Sequence, residues 1–89
     1  MANKRTLKHS INAVCDQLFT EAVAASLYGN DWNQGNTEAL LYSIVRTQID
    51  FVCRVSHPEP GMKPHLYYKD LREQFSARVS EIIDQINNL

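Results

Sequence analysis

"HPEPGMKPH", residues 57–65, holds all three prolines of this 89-residue chain and two of its three histidines. Read as an elbow, it divides the chain; read as a ligand-gathering loop, it makes a site. Pro58 and Pro60 bias His57 and Glu59 away from helical conformation, Gly61 permits a reversal, and Pro64 has the fixed φ and missing N–H that suit a first helical position. The elbow reading explains every one of these residues. It makes the flanking segments two helices joined by a stiff connection.

Working outward, the remaining glycines, Gly29 and Gly35, fall in a second break, "GNDWNQGN", residues 29–36. Three segments free of glycine and proline remain, and in each the apolar residues recur with the pitch of an α-helix. Over 6–28, Leu7, Ile11, Val14, Cys15, Leu18, Ala22 and Ala25 share one stripe, with Phe19 at its edge. Asn3 or Thr6 can cap its start and Gly29 can follow its last turn.

Over 37–55 the stripe is Leu40, Leu41, Ile44, Val45, Phe51, Val52 and Val55. Asn36 suits the cap and Glu38 the positive end of the helix dipole. Gln48 interrupts this stripe, and a polar amide there must find partners across the bundle or across a subunit boundary. Over 64–88 the stripe is Tyr68, Leu71, Phe75, Val79, Ile82, Ile83, Ile86 and, just beyond, Leu89. At ~1.5 Å per residue this helix is expected to be the longest, about 37 Å, with its apolar end outreaching helix two.

The expected fold is all-α: one domain spanning 1–89, three antiparallel helices packed up-down-up around Leu18, Ile44, Phe51, Phe75, Val79 and Ile82. Small size, Gln48 on an apolar stripe and the apolar end of helix three all point to self-association, with a homodimer preferred. Partner-binding candidates are Trp32, Gln48, Tyr68, Ile86 and Leu89, chosen as an aromatic anchor in a loop, an unexplained polar group, an aromatic beside the elbow and the overhanging apolar end.

Composition narrows the function classes. Apolar residues make up 44% and charged residues 21%, too apolar for disorder, and the formal charge of −1 gives no overall field for nucleic acid or an anionic membrane. Lys4, Arg5, Lys8 and His9 form one local basic cluster, so a nucleic-acid-binding arm is the alternative of a different class. No stretch approaches a membrane span and no export signal is read, which makes the cytoplasm the expected compartment and free thiols the expected state of Cys15 and Cys53.

Cys53 and His57 stand one helical turn apart, with His65 beyond the elbow and Asp50 one turn before; these are the candidate metal ligands, though a single Cys-x3-His lacks the paired spacing of zinc motifs. No glycine-rich phosphate loop or carboxylate pair in an apolar setting is found. The expectation is a non-catalytic protein interaction module with no cofactor.

Overall fold

The computed structural model describes residues 4–28 and 34–88. Among them are three helices and no strand: α1 (Lys4–Tyr28), α2 (Gln34–Ser56) and α3 (Pro64–Asn87). They form the expected three-helix bundle. Between α2 and α3 the antiparallel course is visible in the hydrogen bonds, because as the α2 residue falls from Arg54 to Ser43 its α3 partner rises from Gln74 to Arg78.

The most extensive packing joins α1 and α2. Ile11, Cys15, Leu18 and Ala22 are buried on α1, and Leu40, Ile44, Phe51 and Val55 on α2. Each set recurs every three or four residues, so it lies along one side of its helix. Ala22 is fully buried, and its single methyl lets the facing helix approach closely. From α3, Leu71 and Ile82 are buried, while Tyr68, Phe75, Val79 and Ile86 are partly buried against the same core. Phe75 and Val79, expected at the centre, therefore line its margin; the Phe75 ring meets the Phe51 ring edge-on at 5.2 Å.

Polar bonds border the apolar contact between α2 and α3. Arg78 donates to the hydroxyls of Thr47 at 3.3 Å and Ser43 at 3.2 Å, and Arg54 donates to Gln74 at 2.9 Å. Thr47 is buried, and its hydroxyl donates in turn to the Ser43 carbonyl at 2.8 Å. The Arg54 guanidinium also lies 4.8 Å above the Phe51 ring and 3.1 Å from Asp50. These arginines are interhelical staples.

Three expectations require correction. Helices one and two begin at Lys4 and Gln34 rather than at 6 and 37, and helix three ends at Asn87 rather than 88. Asn36 is thus inside α2, exposed on its first turn, and does not cap it. Nor is helix three the longest: α1 has 25 residues, α2 23 and α3 24. Because α2 starts early, Asn36, Ala39, Leu40 and Ser43 line one hollow together with Gln85 and Asn88, so the end of α3 has α2 alongside it instead of projecting beyond.

The elbow behaves as its prolines require. Pro64 is the first residue of α3, preceded by Lys63 in extended conformation, and the Met62 N–H donates to the Glu59 carbonyl at 3.2 Å across Pro60-Gly61. That is a turn with proline at its second position. The reversal expected at Gly61 is there, made with an ordinary negative φ, and a Cβ built on Gly61 would meet nothing within 4 Å. Two tyrosines then lock the corner: the Tyr67 hydroxyl donates to the Arg54 carbonyl at 2.9 Å and the Tyr68 hydroxyl to the Val55 carbonyl at 3.1 Å. Both reach carbonyls in the last turn of α2, where the ladder ends; the Arg54 carbonyl also takes a longer bond from the His57 N–H at 3.3 Å.

Two substitutions test this account by denaturant unfolding. Ile44→Ala should lose about 2–5 kcal/mol, as expected for truncating a buried aliphatic side chain. Gly61→Ala should gain about 0.4–1 kcal/mol by restricting the unfolded chain, whereas a loss would show that the elbow needs glycine.

Candidate functional site

The structure divides the candidate residues into those it engages internally and those it leaves aside. Gln48 donates to the Asn12 side-chain carbonyl at 2.9 Å and, more distantly, to Asp16 at 3.4 Å. Its interruption of the apolar stripe is answered across the bundle, by α1. Tyr68 is half-buried and bonded to α2, with its ring packed edge-on against Tyr67 at 5.3 Å. Ile86 is partly buried against the core. Trp32 and Leu89 lie outside the described residues.

The elbow histidines and Cys53 do not gather into a ligand set: among the described residues no group of three or more His, Cys, Asp or Glu side chains could hold a metal ion. His57 Nδ1 lies 3.0 Å from the Cys53 carbonyl oxygen and 3.7 Å from Cys53 Sγ. A carbonyl only accepts, so this bond requires a proton on Nδ1, and that nitrogen then has no lone pair with which to take the thiol proton. His57 acts as a cap on the end of α2. Asp50, the proposed fourth ligand, is paired with Arg54.

Both cysteines are free thiols. Cys15 is fully buried, and burial, helped by the adjacent Asp16 carboxylate, pushes its thiol above the ordinary range. Tyr67 is likewise raised, first by burial, with smaller contributions from Tyr68, Glu59 and Cys53 and opposition from Arg54.

What remains is a surface. Around α2, at ~100° per residue, Ser43, Thr47 and Arg54 mark the side toward α3; the buried stripe comes next, and Gln48 follows on the side toward Asn12 and Asp16 of α1. Beyond Gln48 lie Leu41 and Val52, then Val45 and Ile49, which is roughly opposite the α3 seam. Val45 is 39% exposed and Ile49 56%. On α1 the side carrying Asn12 and Asp16 also carries Phe19 and Leu27, exposed at 38% and 73%. Asn12, Gln48, Ile49 and Val52 border a hollow of about 340 Å³ on this face. α1 and α2 therefore present a second apolar surface, turned away from α3, with a polar centre at Asn12, Asp16 and Gln48.

Sequence reading assigned Phe19 and Val45 to the margins and body of the core stripes and passed over Ile49. The available signal was the width of the apolar arc on α2. Residues 40, 44, 51 and 55 face the core with 41 and 52 packed at its edge, and 45 and 49 widen the arc beyond it.

No protein-family model, curated protein or solved structure matches this chain. Among the described residues no helix is long and apolar enough to cross a membrane.

Two measurements check these environments. A thiol reagent should modify Cys53 rapidly in the native protein and Cys15 only on unfolding; fast reaction of both would contradict the packing of α1. For Tyr67, the folded phenol holds its proton more tightly than the unfolded one, so its contribution is full below the unfolded pKa of about 10 and is lost as pH rises through the higher folded value. Wild-type stability should fall over that alkaline interval, and Tyr67→Phe should fall less steeply.

Proposed function

We propose that this chain is a non-catalytic interaction module whose working surface is the α1–α2 face turned away from α3, and that it functions as a self-associating protein. The observation that carries the reading is the combined exposure of Phe19, Leu27, Val45 and Ile49 on one side of a two-helix hairpin. Exposed apolar residues scattered singly are ordinary, but Val45 and Ile49 stand one turn apart on α2, and covering such side chains gains free energy at ~25 cal/mol per Å² removed from water. The surface has the shape to receive an antiparallel helical pair or a single amphipathic helix laid in the groove.

Support also comes from where the chemistry-bearing residues are spent. Arg54, Arg78, Tyr67, Tyr68 and His57 are engaged in joining α2 to α3 and capping the elbow. Binding by desolvated aliphatic and aromatic side chains requires no cofactor. The two free thiols fit a reducing compartment, and the cytoplasm is the location we assign.

Site-specific photo-cross-linking in cells tests the reading. A photoreactive residue at position 49 should yield adducts to protein, self or other, that a probe at Glu73, exposed on α3, does not yield. Ile49→Asp, in a chain carrying the probe at position 45, should reduce the adducts at least tenfold while leaving the unfolding midpoint nearly unchanged. Equal labelling from positions 49 and 73 would overturn the assignment of the face.

A further inference from the structure

We draw no further inference here: the strongest candidate, the exposed apolar patch of Val45 and Ile49 on α2 beside Phe19 and Leu27 on α1, belongs to the surface already described, and nothing in the structure shows what covers it.

Discussion

The close antiparallel pairing of α1 and α2 is the constraint on which the rest depends. Ile11, Cys15, Leu18 and Ala22 on one helix and Leu40, Ile44, Phe51 and Val55 on the other are buried to 6% exposure or less. Burial of this kind supplies the main favourable free energy of folding, and at 89 residues there is little surplus. Small side chains at Cys15 and Ala22 allow the approach, and the Gln48–Asn12 hydrogen bond fixes its height. α3 is added to a hairpin that already has an interior.

How α3 is added has consequences for the other side of that hairpin. Its seam uses arginine, threonine, serine and glutamine to bond across to α2, with Leu71 and Ile82 as its buried apolar residues. The elbow, held by Tyr67 and Tyr68, sets where α3 enters, so it covers one side of the hairpin and leaves the opposite side bare. The bare side belongs to α1 and α2, the two helices with the most extensive mutual packing.

Much of the architecture was legible in the chain. Helical periodicity survives without knowledge of the fold, because a stripe at every third and fourth residue has one meaning for a segment of this length. The elbow was equally legible, since Pro58, Pro60 and Pro64 act through local sterics that no neighbour can remove. Helix starts were less so: Asn36 has the chemistry of a cap, yet α2 runs through it from Gln34, because a cap residue type is a local preference that does not by itself fix where a helix begins. At Gly61 the chain turns as expected, without using the conformations open to glycine alone.

Candidate sites fared worse, for a physical reason. A residue such as Gln48 or Tyr68 announces only that it needs a partner; whether the partner is Asn12, the Val55 carbonyl or another molecule depends on which faces meet. By itself the sequence determined three helices, their joints and the existence of an apolar stripe on each, because these follow from local stereochemistry and periodicity. Only the tertiary structure decided that the apolar arc on α2 is shared between an interior side and an exterior one, and that Phe19, Val45 and Ile49 are left uncovered. That choice depends on the direction from which α3 returns, a property of packing among distant segments that no local pattern encodes.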